Sequence, residues 1–222
     1  MALNIAIDGP AGAGKSSVAQ EVSRILDLEY LDTGAMYRAL GLYMLKNGID
    51  PRNEGAVAEA CENVRIDVEY ENGRQRTLLM GEDVSEAIRS EECSRAASDV
   101  SKLARVRERL VALQRDIAGR RRIVMDGRDI GTKVLPGARV KIYLTASASE
   151  RARRRVSQLT ERGVAAEYDT VLKDIVERDY QDMNREVSPL KQADDAVVVD
   201  SSDMTLDEVI SRIVGIAREA DA

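Results

Sequence analysis

The 222-residue chain contains no histidine, tryptophan or phenylalanine, and its 3% of aromatic residues are all tyrosine. Without histidine there is no imidazole general base, no Ser-His-Asp triad, no His-ligated zinc and no phosphohistidine chemistry. With so few rings the core must be aliphatic with methionine, and stacking platforms for single-stranded nucleic acid are not supplied. Two cysteines, Cys61 and Cys93, are too few for a four-cysteine zinc site or a disulfide framework and suit a reducing compartment. Residues 1–8 lack the basic start of a secretory leader, and no run approaches the roughly 18 apolar residues needed to cross a bilayer. A net charge of −6 argues against a general nucleic-acid binder, so anionic ligands must be held by local arginine clusters. The expectation is a cytoplasmic protein, with neither membrane nor nucleic acid as partner, acting as a monomer.

What is present reads as alternating strands and helices. Residues 3–8 are short, apolar and followed by glycines, as a buried parallel strand is. A helix over 16–27 carries Val18, Val22, Ile25 and Leu26 on one stripe, and a second over 35–46 stops at Asn47-Gly48. Between them 30–32 has room for a brief strand. Val64, Ile66, Val68 and Tyr70 then alternate, and Asn72-Gly73 is a strong hairpin signal before a return over 75–80. Helical periodicity covers 91–119, 148–161, 170–185 and 206–220, with apolar strands at 122–126, 140–144 and 196–200. This order predicts an α/β fold: a parallel, doubly wound core sheet with helices on both faces, and a small antiparallel insert. The expected division is a core of 1–62 and 91–222 with an insert of 63–90.

Gly9-Pro10-Ala11-Gly12-Ala13-Gly14-Lys15-Ser16 matches the phosphate-loop pattern G-x-x-x-x-G-K-[ST]. At average glycine usage a chain this long meets that pattern by chance only about one time in a hundred. The match also lies between a strand and a helix, where helix-start N–H groups meet phosphate oxygens. Lys15 is expected to reach the β- and γ-phosphates of ATP and Ser16 to ligate Mg2+. Two other strand ends carry charge, Asp32-Thr33-Gly34-Ala35-Met36-Tyr37-Arg38 and Asp126-Gly127-Arg128-Asp129. Ligands in doubly wound sheets bind outside the carboxyl ends of the strands, so both segments are expected beside the loop, with Thr33 at a helix cap. Arg178, Asp182 and Arg185 have helical spacing and are expected to share one face. Arg151, Arg153, Arg154 and Arg155 open another helix, which reads either as a solvated basic face or as a nucleotide lid.

The missing histidine narrows the acceptor. A hydroxyl acceptor needs a positioned base, whereas a monophosphate, with a second pKa near 6, is already largely dianionic at neutral pH. It needs charge neutralisation and alignment, which Lys, Arg and Mg2+ supply.

These motifs resemble those of the bacterial cytidylate kinases, a branch of the nucleoside monophosphate kinases. The likeness includes D-T-G-A-M-Y-R at 32–38, G-E-D-V-S at 81–85, A-A-S at 96–98, R-V-R at 105–107, D-G-R-D-I-G-T at 126–132, E-R-D-Y-Q-D-M-N-R at 177–185 and S-P-L-K-Q-A-D-D-A at 188–196. It implies transfer of the γ-phosphoryl of ATP to CMP or dCMP, with the antiparallel insert enlarging the monophosphate-binding region and a mobile helical lid around 151–163. It implies that ATP lies against Gly9, Pro10, Ala11, Gly12, Ala13, Gly14, Lys15, Ser16 and Ser17, with Arg151 stacked on adenine and Arg155 on the donor phosphates. By the same resemblance, cytosine lies near Thr33, Arg107 and Asp129, the ribose near Ser98, Arg178 and Asp182, and the CMP phosphate near Arg38, Arg128 and Arg185. Lys15, Arg128, Arg185 and Arg155 are the implied catalytic cations. Thr33 stands where the family often has serine, and Ser17 where threonine is usual. The rival readings are a kinase for another monophosphate such as UMP and a nucleotide-dependent regulator; the guanine-specifying N-K-x-D run of a GTPase switch is absent.

Overall fold

A computed structural model describes residues 3–71, 73–161 and 163–221. Asn72, half of the expected turn, and Arg162, inside the expected lid, lie outside the described residues. The chain divides into two compact units, one formed by Met1–Leu28 with Val124–Ala222, the other by Glu29–Ile123. The second unit thus contains the antiparallel insert together with the helices on either side of it in sequence.

The first unit is built on β1 (Asn4–Asp8), β6 (Ile123–Gly127), β7 (Val140–Thr145) and β8 (Val197–Asp200), in the sheet order β6-β1-β7-β8. β1 runs parallel to β7 with Ile5 opposite Val140 and Asp8 opposite Tyr143, and β7 runs parallel to β8 with Thr145 opposite Asp200. The helices α1 (Lys15–Leu26), α6 (Ala148–Glu161), α7 (Tyr168–Asn184) and α8 (Leu206–Asp221) belong to this unit; α1 packs on α8 and α6 on α7. Ile5, Ile7, Ile142 and Leu144 are essentially sealed from solvent, as near-continuous apolar strands in a covered parallel sheet should be. Each such side chain contributes roughly 1.5–3 kcal/mol of burial. The α1 stripe differs from the expected one. Lys15, Val18, Ala19, Val22 and Ser23 face inward, and Ile25 is exposed. Small residues and the loop lysine take the side nearest the sheet, which turns Ile25 outward.

The second unit holds β2 (Glu29–Asp32), α2 (Thr33–Lys46), α3 (Glu54–Asn63), the hairpin β3 (Ile66–Glu71) and β4 (Arg74–Leu79), β5 (Glu82–Asp83), α4 (Glu91–Val100) and α5 (Ala104–Gly119). β3, β4 and β5 form their own three-stranded antiparallel sheet, with Ile66 opposite Leu79 and Glu71 opposite Arg74. The helical stretch over 91–119 is two helices, broken at Ser101, Lys102 and Leu103. α2 and α4 pack so closely that a Cβ on Gly41 would stand 2.9 Å from the Ala97 nitrogen, so only glycine fits there. Both cysteines are buried and free. Among the described residues no helix is long and apolar enough to cross a membrane.

Candidate active site

In the first unit, the loop between β1 and α1 presents the start of a helix. A Cβ on Gly9 would overlap the Leu144 carbonyl oxygen, and Gly12 and Gly14 hold left-handed φ of 76° and 85°, conformations that favour glycine. Gly14 is the N-cap of α1 and no side chain among the described residues caps it, so the first N–H groups of the helix remain available to an anion. Lys15 is buried, and its Nζ donates to the Pro10 carbonyl at 2.7 Å, folded back over its own loop. Burial drives its pKa down to about 7, helped by the positive Arg128 and opposed by Asp126, Asp182 and Asp8.

Next to the lysine, the Ser16 hydroxyl donates to Asp126 Oδ2 at 2.9 Å. Asp126 ends the apolar run of β6 and is 5% exposed. A hydroxyl and a buried carboxylate are hard oxygen donors suited to Mg2+. Among the described residues no group of three or more Asp, Glu, Cys or His could hold a metal by itself. The pair therefore fits an ion whose remaining ligands come from nucleotide phosphates and water. Sequence reasoning expected the segment of Asp126 beside the loop but gave the metal role to Ser16 alone; the signal for Asp126 was an apolar strand running into an aspartate.

Beyond β6, Arg128 Nε donates to Asp182 Oδ2 at 2.8 Å, and Asp182 Oδ1 lies 3.7 Å from Arg185 Nη1. Arg185 Nη2 is 4.0 Å from Asp129 Oδ1, and its Nε donates to the Ser188 carbonyl. Burial works to raise the Asp182 pKa, but Arg128, Arg185 and Arg178 outweigh it and hold the carboxyl below its usual range. Burial opposes the charge of Arg128, and Asp182 and Asp126 more than restore it. Asp182 is thus the hub that holds two guanidinium groups in place. The expected single face is corrected in one respect. α7 ends at Asn184, and Arg185 has extended backbone, φ −64° and ψ 143°, so it reaches Asp182 from past the helix end. Arg178 lies exposed on α7, and Arg155 is half-buried on α6.

Arg151 is 4% exposed, with its guanidinium bound to Asp179 and to the carbonyls of Ala11 and Ala146. The edge of its guanidinium is thus engaged within the protein, between the phosphate loop, the end of β7 and α7.

Asp8, last residue of β1, accepts from the N–H groups of Ile130 and Gly131, each at 2.7 Å. It thereby anchors the single π-helical turn Ile130–Val134 that follows Arg128 and Asp129. Burial raises its pKa to about 6 against those two N–H bonds, with Asp129 raising it and Lys15 lowering it. Since the native pKa lies above the unfolded value of 3.8, the native state binds more protons between them, and stability falls as pH rises through this window. Relative to Asp8→Asn, which has no such titration, the wild-type protein should therefore lose up to about 3 kcal/mol between pH 4 and 7. Urea unfolding of both proteins at each pH measures this, and a flat difference would refute it.

In the second unit, the helix cap expected at Thr33 belongs to Asp32. Its Oδ1 accepts from the Ala35 N–H at 2.9 Å, while Oδ2 accepts from Arg38 Nη2 at 2.6 Å. An aspartate one residue before the helix reaches the third N–H, and Thr33 becomes the first, buried, helical residue. Gln75 on β4, not expected from the sequence, clamps this turn: its Oε1 accepts from the Asp32 N–H at 2.6 Å and its Nε2 donates to Thr77 Oγ1 at 3.2 Å. The insert therefore holds the backbone whose side chain orients Arg38. Arg107 on α5 is buried, donates to the Ser101 carbonyl at 3.3 Å and lies 5.5 Å from the Tyr37 ring centroid. Ser98 is half-buried on α4, the helix packed against α2.

The family model "Cytidylate kinase" matches residues 5–219. A cytidylate kinase of Mycolicibacterium paratuberculosis is 52% identical over 216 residues, covering 97% of this chain and 95% of that protein. Those of Caldicellulosiruptor bescii and Enterococcus faecalis are 48% and 46% identical, over 96% and 98% of this chain and 94% and 96% of theirs. A solved structure of an uncharacterized protein from Eubacterium ventriosum superposes with a TM-score of 0.53 at 11% identity, over 97% of this chain and 98% of that one. That likeness shows the fold alone.

Proposed function

This chain belongs to the cytidylate kinase family, and from that premise we propose that the site around Lys15 moves the γ-phosphoryl group of ATP onto CMP or dCMP, giving ADP and CDP or dCDP. The observation that carries the reading is the grouping of Lys15, Arg128 and Arg185 beside an uncapped helix start, with the Ser16–Asp126 oxygen pair next to the lysine. Such a site neutralises and aligns phosphates through its cations, which suits an acceptor that is itself a phosphate dianion.

In this reading the helix-start N–H groups of the loop, residues 9–17, cradle the donor phosphates. Lys15 leaves the Pro10 carbonyl for the β- and γ-oxygens, and Arg155 adds charge to the donor. Ser16 and Asp126 would hold Mg2+, which when bound offsets the negative charge of the donor phosphates. Arg128 and Arg185, fixed by Asp182, present their remaining N–H groups to the phosphoryl group in transfer and to the acceptor phosphate. Arg38, oriented by Asp32, binds that acceptor phosphate. Thr33, Arg107 and Asp129 read the base, a carboxylate being able to accept from the N4 amino group of cytosine that uracil lacks. Ser98, Arg178 and Asp182 take the sugar.

The test is ADP release from MgATP with no acceptor and with CMP, dCMP, UMP or AMP in turn. Release with the cytidine monophosphates, well above that with UMP, AMP or no acceptor, is expected. Equal release in the absence of acceptor would overturn the assignment in favour of a nucleotide-hydrolysing regulator.

A further inference from the structure

Arg151 uses four N–H bonds on three elements of the first unit. Its Nε donates to the Ala146 carbonyl at 2.9 Å just beyond β7, and Nη1 donates to the Ala11 carbonyl of the phosphate loop at 2.9 Å. Nη1 and Nη2 together grip Asp179 on α7, at 3.1 and 2.6 Å. The stem takes part as well, since a Cβ on Gly12 would stand 3.4 Å from the Arg151 Cβ. Both side chains of the ion pair are almost sealed, 5% and 11% exposed. A dehydrated pair in this fork geometry resists rotation, because turning either partner breaks two charge-assisted bonds at once. Three residues beyond Asp179, about one helical turn along α7, stands Asp182, which holds Arg128 and Arg185.

From this geometry we infer that Arg151 and Asp179 are positioning residues: they brace the phosphate loop and tie it through α7 to the arginine pair held by Asp182. The brace sets the Ala11 peptide, and with it the loop whose N–H groups face the donor. One rigid helix then carries both the loop's anchor and the arginines' anchor, so the spacing between them is preset. The inference rests on reading this loop as the donor phosphate site.

The experiment uses the full chain, with Arg151→Lys, Asp179→Asn and the double variant. Inorganic tripolyphosphate, which has phosphates and no base, is titrated calorimetrically against each protein, alongside ATP, and steady-state kinetics gives kcat and KM for ATP. Lysine keeps the charge and most of the stem and loses the fork. Tripolyphosphate and ATP affinity should fall together in each single variant, with kcat down about a hundredfold from the loop's displacement. The double variant should be no worse than the weaker single one, because either change alone releases the brace. Weakened ATP binding with unchanged tripolyphosphate binding in Arg151→Lys, and no effect in Asp179→Asn, would overturn the inference in favour of a base-stacking arginine. A lowered melting temperature with unchanged affinities and kcat would overturn it in favour of a purely architectural pair. Should Asp179→Asn not fold, Arg151→Lys alone still separates these outcomes. Failure of tripolyphosphate to displace ATP from the wild-type protein would overturn the loop reading itself, before any variant is measured.

Discussion

Lys15→Met is expected to leave a folded protein whose kcat is lower by about a thousandfold, within the range reported for loss of a cation or donor that meets charge in the transition state. The lysine is buried beside Arg128, and both burial and that neighbour press its pKa down to about 7. Donor phosphates would reverse this by placing negative charge against Nζ. Nucleotide binding above neutral pH should therefore take up a proton, visible as a dependence of the binding enthalpy on the ionisation enthalpy of the buffer. The same shift separates activity from stability. The native pKa lies below the unfolded value of 10.5, so the unfolded state binds more protons between about 7 and 10.5, and wild-type stability rises with pH through that window. Below it the buried charge costs stability. Lys15→Met removes that cost, so its thermal midpoint near pH 7 should be no lower than that of wild type while turnover collapses. Turnover within a few-fold of wild type, in a folded variant, would remove Lys15 from the chemistry.

Arg128→Lys should lower kcat/KM for CMP by about a hundredfold, although charge is conserved. Arg128 gives its Nε to Asp182 and its Nη1 to the Gly127 carbonyl at 3.4 Å, and in the proposed site the same guanidinium also has to meet phosphate oxygens. A lysine has one nitrogen and has to choose between them. Asp182 already faces Arg185 at 3.7 Å, so the replaced ammonium would be drawn into a shared ion pair and away from the acceptor. The KM for ATP should change much less than that for CMP. Full activity would mean that net charge alone matters at this position.

Much of this protein is legible locally. The phosphate loop is set within eight consecutive residues, because its glycines alone permit the φ values that turn strand into helix. The apolar runs of β1, β6 and β7, the 66–79 hairpin and the helices at 148–161 and 206–221 are likewise carried by neighbouring residues, through periodicity and turn chemistry. Elements whose formation depends on partners were less visible: two-residue β5, the π turn held by Asp8, α3, and the break between α4 and α5. The loop residues and the cations of the proposed site can be named from the chain, since charge and motif are properties of single positions. Which distant polar group serves which partner cannot. Ser16 meets Asp126 across 110 residues, Asp8 meets Ile130 across 122, Arg128 meets Asp182 across 54, Arg151 meets Asp179 across 28 and Gln75 meets Asp32 across 43. The 39 acidic residues of this chain offer many pairings of equal local merit. Tertiary packing selected among them, because an ion pair is worth forming out of water only where the fold delivers both partners, oriented, to one buried place.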